Sequence, residues 1–589
     1  MVLTSRFTSF LDTNFAPNPE EIEEIQNIVR DPQKDLHLLE EEILHLQERR
    51  NELKSFIDQH QEIFIRCLPD DRIPTCSVTE PPLVFTIICR TWREVAIGSP
   101  RLWNAVHITL PTSLHPQLNT TLSSIVETRT EGVKRWLDRS GSLPISFALH
   151  SGLWFAGHGD EEFMNQSEFV EPVLKLYQTF IEMLMSYCSR WKHVCFAEVP
   201  TATLSIAGKL DVSAMPLLER FQLLLHGWDN GLEPPDFQIV DVISPVSALL
   251  QAPNLRSISL YGGHVSPLNY PVRCDLLSKL DIGKSWGSQD GILSARLALE
   301  VVARCSPALR SLLLDICPGA DWMMQQHSSP MLMFPNLREL SVEFYKDMSQ
   351  NAAEAPEAEI VLDEITTFFN AIHTPSLVSL SFRLEGLNLP STDAPPPFIP
   401  FIQRCKCDLL YLSLRIPLQD TAFIDCLPLL PSLTVLKLAE YRIDDLNKWP
   451  TESTPGYLDP QRISCNTITE PLLQALVPTE GYQKLETVHF ISVSPSMAPA
   501  LFRFSKARQL PFRTFRVDFC DFLQELEGTQ VSSWLKELRN DGWDVRWRSP
   551  ISQRKRLKGD PNEGWMDYSF PFGDMEADPN TKAELKVTY

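Results

Sequence analysis

Three soft metal ligands lie close together at Cys188, His193 and Cys195, a donor set suited to zinc if a fourth group joined it. They straddle the end of an expected helix and the strand after it, and no second Cys or His pair follows nearby. The sequence therefore predicts buried structural residues here and no metal. The run Gly157-His158-Gly159-Asp160-Glu161-Glu162 is acidic and glycine-flanked but lacks partners, and reads as a solvated loop. Arg554-Lys555-Arg556-Leu557-Lys558 has the composition of a nuclear-import segment, although so short a basic run reads first as solvated charge. No phosphate-binding glycine loop, Gly-x-Ser-x-Gly elbow or His-Glu-x-x-His zinc helix occurs. The chain is accordingly expected to have no catalytic residues of its own and no cofactor.

With 589 residues the chain exceeds one compact core, so several units or one elongated array are expected. A formal net charge of -22 disfavours nucleic acid, whose phosphates need a basic face. No apolar stretch approaches the roughly 20 residues of a membrane helix, and residues 1–15 lack the continuous apolar region of a secretory signal. The 13 cysteines are scattered and never form a Cys-x-x-Cys pair, as in a reducing compartment. Cytoplasm or nucleus is the expected location.

Positioning elements begin at Asn18-Pro19-Glu20-Glu21, a helix start with a capping side chain, a proline at the first helical position and early carboxylates. Asp31-Pro32 reads as a second start. After it Leu36, Leu39, Ile43, Leu46, Leu53 and Ile57 recur by threes and fours, with Arg50 interrupting. That is coiled-coil spacing over about three heptads. A hairpin packed on its own chain is the first expectation and a dimer the second.

Residues 62–106 are the most informative. They open Glu62-Ile63-Phe64-Ile65-Arg66-Cys67-Leu68-Pro69, continue Pro82-Leu83-Val84-Phe85-Thr86-Ile87-Ile88-Cys89-Arg90-Thr91-Trp92-Arg93, and close Ser99-Pro100-Arg101-Leu102-Trp103. Residues 83–96 read as one short helix with Phe85, Ile88, Cys89, Trp92 and Val95 near one face, stopping at Gly98. The ordered pattern Ile-Phe, Leu-Pro, Cys-Arg-x-Trp-Arg and Pro-x-Leu-Trp resembles the F-box domain, in the form found in mushroom-forming fungi. The flanks Leu11-Asp12-Thr13-Asn14-Phe15-Ala16-Pro17 and Trp136-Leu137-Asp138-Arg139-Ser140-Gly141 resemble the same family. The resemblance implies a substrate receptor of a Skp–cullin–RING ubiquitin ligase. It places Leu68, Pro69, Ile88, Cys89, Arg90 and Trp92 at the Skp-type adaptor, with Trp103 packing the box. One departure stands out: the family's opening Leu-Pro-x-Glu-Ile segment is missing, since Asp58-Gln59-His60-Gln61 runs straight into Glu62-Ile63-Phe64. Either the box is degenerate or a short coding segment has been lost. The upstream heptad phase continues through His60, Phe64 and Cys67, so the two helices are candidates to fuse.

From Trp191 onward a string of apolar, two positions, apolar, one position, apolar recurs. The clearest copies start at Leu255, Leu309, Leu337, Leu377 and Leu433, with weaker ones at Trp191, Leu218, Leu277, Leu409 and Leu485. The last two apolar residues, two apart, face inward from a short strand. Several strings follow Pro-x, as at Pro253-Asn254, Pro335-Asn336 and Pro431-Ser432, which halts a preceding helix. Helices are expected over 293–305, 362–372, 421–430 and 531–538, a last strand over 543–547, and loops over 349–359, 390–397 and 450–461. Steps of 22 to 52 residues fit an irregular leucine-rich repeat better than a regular one of roughly 20–29. An ordinary α/β domain with a parallel sheet is the alternative.

The expected fold is α/β, an N-terminal helical region and F-box helices followed by an irregular leucine-rich-repeat-like solenoid. Its divisions fall at 1–17 (flexible), 18–61 (helical), 62–110 (F-box-like), 111–190 (linker and repeat start), 191–550 (repeats) and 551–589 (polar tail). Expected partners are a Skp-type adaptor and a target protein, with neither nucleic acid nor membrane. A protein-interaction scaffold that joins no ligase is the competing function, and an enzyme with an unrecognised site a third.

Overall fold

A computed structural model describes most of residues 6–548. It leaves out 111–118, 152–166, 225–245, 263–270, 284–292, 320–330, 347–357, 388–395, 443–463, 478–483, 508–513 and 520–529, with a few shorter gaps. The acidic run at Gly157, the basic run at Arg554 and most of the three expected loops lie outside the described residues. The chain divides into two compact units, Met1–Trp103 and Asn104–Tyr589. No helix among the described residues is long and apolar enough to cross a membrane.

In the first unit α1 spans Pro19–Arg66. Asn18 caps it reciprocally: its Oδ1 accepts from the Glu21 N–H at 2.9 Å, and its own N–H donates to Glu21 Oε2 at 3.0 Å. The second start expected at Asp31-Pro32 is not there, because Pro32 lies inside one continuous helix. Proline removes the hydrogen bond to the Ile28 carbonyl, and on this exposed stretch water can take its place. The expected hairpin also gives way. An unbroken helix of 48 residues runs about 72 Å at 1.5 Å per residue and cannot fold back on itself. Leu36, Leu39, Ile43 and Leu46 stand 54–59% exposed along it.

The single helix expected over 83–96 is two, α2 (Phe85–Ile88) and α3 (Arg90–Ile97). Cys89 adopts extended backbone between them, and its sulfur accepts the Trp92 N–H at 3.4 Å, capping α3. The reason is aromatic packing. In one straight helix Phe85 and Trp92, seven residues apart, would be separated by about 10.5 Å of rise, whereas the break brings their rings to 5.9 Å. The same break turns Ile88 and Cys89 outward.

The second unit is mixed α/β and carries a 14-stranded sheet whose strands follow sequence order throughout. These are β1 (Ala105–Thr109), β2 (Ile145–His150), β3 (Trp191–Ala197), β4 (Arg220–Leu224), β5 (Ser257–Tyr261), β6 (Lys279–Ile282) and β7 (Ser311–Ile316). They continue as β8 (Glu339–Tyr345), β9 (Ser379–Glu385), β10 (Tyr411–Arg415), β11 (Val435–Ala439), β12 (Thr487–Val493), β13 (Thr514–Phe519) and β14 (Val545–Arg548). Adjacent strands pair in parallel, from Ala105 opposite Ser146 to Asp518 opposite Arg548. The sheet starts at Ala105, well ahead of the first repeat string expected, and β1 and β2 alternate buried and half-buried residues.

The strings stack in register: Ile258, Leu280, Leu312, Leu340, Leu380, Leu412, Leu436 and Val488 form one continuous buried row. The leading Leu255, Leu309, Leu337, Leu377 and Leu433 are all buried as well. Each Pro-x forms a turn closed by the leading leucine, as in Leu255 N–H to Ala252 O and Leu337 N–H to Phe334 O. The residue after proline then reaches one turn back. Asn254 Nδ2 donates to Pro216 O at 2.7 Å, Asn336 Nδ2 to Pro307 O at 2.9 Å, and Ser376 Oγ to Pro335 O at 2.7 Å. Between strands, Ala295–Cys305, Ala358–Ala371 and Asp420–Cys426 are helical close to the expected spans. Phe344, Phe368, Phe369, Phe382 and Phe398 pack edge-on or tilted beneath the sheet.

Candidate functional site

The end of α1 and the pair α2–α3 build a small aromatic core. Phe64 stacks on Phe85 at 4.5 Å between centroids and meets Trp92 at 5.0 Å. Phe64 and Phe85 are buried, but Trp92 remains 40% exposed and forms the outer edge of the trio. Below it Trp103 is fully buried and donates from Nε1 to the Ala96 carbonyl at 2.7 Å. Ser99 Oγ donates to Val95 O at 2.6 Å, and Arg93 Nε to Thr86 O, so α3 is tied at both ends. The connection from α1 is pinned by Arg72, which pairs with Glu80 on both carboxylate oxygens; Glu80 Oε1 also accepts the Thr75 N–H at 2.9 Å.

What this scaffold presents is apolar. Ile63, Ile87 and Ile88 are each more than half exposed, and Trp92 is 40% exposed. Of the residues expected at the adaptor, Ile88, Cys89, Arg90 and Trp92 are exposed on α2–α3, and Arg90 Nε lies 2.9 Å from Glu94. Leu68 and Pro69 sit half-buried after α1, in a different stretch of chain. Ile63 and Ile87, which were not among the residues expected there, are exposed too. The phase of α1 held the signal, since burying Phe64 turns Ile63 outward.

The sheet holds the other ionisable clusters. Cys188 lies in a short 3-10 turn before β3, while His193 and Cys195 lie within β3. His193 Nδ1 is 3.2 Å from Ser146 Oγ. Burial first, then Arg220 and Lys192, holds its pKa down at about 4. Burial pushes the Cys195 thiol up to about 12. Among the described residues no three His, Cys, Asp or Glu side chains are placed to hold a metal. On β6 Asp281 is buried and accepts from Ser259 Oγ at 2.8 Å; burial raises its carboxyl above the usual range, opposed by Lys279 at 3.5 Å. At the far end Asp518 joins His489 at 2.7 Å and Arg516 at 3.3 Å. Burial would raise its pKa, but the two partners more than reverse that. Each of its oxygens is engaged by one of them, so the cluster ties β12 to β13.

No family model matches the chain, and no curated protein matches it. Among solved structures, the "Crystal structure of Rad7 and Elc1 complex in yeast" aligns over 69% of this chain and 89% of the other chain, at 12% identity and a TM-score of 0.30. At that score the likeness carries no argument.

Proposed function

We propose that this chain is a non-enzymatic, F-box-type substrate receptor of the cytoplasm or nucleus. Its helical unit docks on a Skp-type adaptor of a cullin–RING ubiquitin ligase. Its sheet unit is a leucine-rich-repeat-like solenoid that holds a target protein. The observation that carries the reading is the exposure of Ile63, Ile87, Ile88 and Trp92 on a well-tied helical scaffold. The in-register leucine strings support the second half, because the same buried row recurs from strand to strand as stacked repeats require. Such a receptor breaks no bonds; it raises the concentration of target beside the ubiquitin-loaded enzyme.

The scaffold reading has its own observation. α1 runs without a break from Pro19 to Arg66, through the place where a separate opening helix of the box would begin. One binding experiment separates the two. Purified Skp-type adaptor is titrated against the full chain, against Ile88→Asp and Trp92→Asp, and against a chain with a Leu-Pro-x-Glu-Ile segment inserted before Glu62. The receptor reading expects the unsubstituted chain to bind and each Asp variant to weaken it at least about 30-fold, the scale of a hot spot worth about 2 kcal/mol. Binding by the inserted chain alone supports the scaffold reading for this sequence. Equal binding by both Asp variants removes the assigned face.

A further inference from the structure

The exposed stripe on α1 takes no part in the face just described. Its heptad phase extends upstream through Ile22, Ile25 and Val29, so from Ile22 to Ile57 only Pro32 and Arg50 interrupt the a and d positions. Ile22, Val29, Leu36, Leu39, Ile43 and Leu46 are all exposed in the single chain. A helix carrying a continuous apolar seam of this kind completes itself against another helix with the same spacing.

We propose that α1 pairs antiparallel with α1 of a second copy of this chain, Ile43 of each helix packing against Leu46 of the other. The charges flanking the seam choose this arrangement. In a parallel, in-register pair, Asp35 would face Glu40 of the second copy, Arg49 would face Lys54, and Arg50 would meet Arg50 within the seam. All three contacts oppose like charges. In the antiparallel pair centred between Ile43 and Leu46, Glu42 faces Arg49 on both sides, and Arg50 lays its aliphatic stem over Leu39 while its charge reaches water. Sliding by one heptad in either direction sets Glu42 against Glu42 or Arg49 against Arg49, so register is selected along with orientation. Arg49 is exposed and pairs with Glu52 of its own helix at 3.1 Å, within reach of a second carboxylate from outside.

From Leu36 to Leu53 the overlap is about 27 Å. Three heptads make a short seam, so the dimer forms reversibly with concentration. Two receptors joined in this way would present two target-binding surfaces and gain avidity for a multivalent partner.

Sedimentation of the full chain over a concentration series is the test. The mass is expected to rise from 67.1 kDa towards twice that value, and Ile43→Asp with Leu46→Asp is expected to hold it at the monomer throughout. Both residues are exposed in the single chain, so circular dichroism is expected to be unchanged by the substitutions. Orientation is read from oxidative cross-linking of Leu39→Cys and Arg50→Cys chains, with the unsubstituted chain as the background for native cysteines. The antiparallel pair links a mixture of the two variants and leaves each variant alone unlinked. A monomer at every concentration, a dimer that survives the double Asp substitution, or self-linking of each Cys variant overturns the proposal.

Discussion

Trp103→Phe tests whether the small helical unit is held as the geometry implies. Trp103 is fully buried, and its Nε1–H is one of the donors to the carbonyl of Ala96, itself a buried residue. Phenylalanine keeps much of the apolar volume but removes that donor. The Ala96 carbonyl keeps the Ser99 N–H at 3.2 Å, so the loss is that of one hydrogen bond, about 0.5–1.5 kcal/mol, and the space left by the larger ring adds on the order of 1 kcal/mol. A local destabilisation of about 1.5–2.5 kcal/mol results, and at about 1.4 kcal/mol per decade the amides of α3 should exchange roughly 10- to 60-fold faster. The assay is hydrogen–deuterium exchange on the full chain, following peptides that cover 90–103. Global unfolding is less suitable, because a chain of two units need not melt in one step. Peptides from β5 to β11 should be unaffected and serve as the internal reference. If exchange over 90–103 rises less than threefold, the Trp103–Ala96 bond is not what fastens α3, and the account of this core fails.

Two further expectations concern buried ionisable groups in the sheet. His193 is held neutral, with a pKa of about 4 against 6.5 when exposed; its stabilising share is therefore complete above pH 6.5 and lost as pH falls towards 4. Solvent contact trims that share to about 1–2 kcal/mol between pH 7.5 and 5, so wild type should lose more stability over that interval than His193→Gln, and parallel urea midpoints would refute the assignment. Asp281 behaves oppositely. Its folded carboxyl is raised by burial, so its contribution is present below the unfolded value near 4 and declines as pH rises. The stability of Asp281→Asn relative to wild type should thus improve from pH 4 to 7, and a flat or falling difference would show that Lys279 outweighs burial.

The repeat strings were readable because a strand with one buried face writes its period into the sequence. Leu309, Leu312 and Leu314 announce burial through spacing alone, and the Pro-x prefix marks the turn that delivers each string to the sheet. The capped start of α1 was equally local, since Asn18 and Glu21 satisfy each other within one helical turn. Of the candidate site, the ordered Cys-Arg-x-Trp-Arg pattern and its neighbours pointed to Ile88, Cys89, Arg90 and Trp92, which the fold leaves exposed.

Tertiary structure decided the rest. Whether residues 83–96 formed one helix or two depended on where Phe64 would stand, a partner some twenty residues away that pulls Phe85 and Trp92 together. Whether the α1 stripe found a partner within its chain depended on Pro32, whose local tendency to break a helix was overridden along an exposed span. The early strand β2 has Pro144 at the leading position and became legible only through its pairing with β3. The turn-to-turn bonds from Asn254, Asn336 and Ser376 join residues 29 to 41 positions apart. Sequence patterns report what each residue needs buried within its own element. Which distant element meets that need is set by packing between elements, and no single segment encodes it.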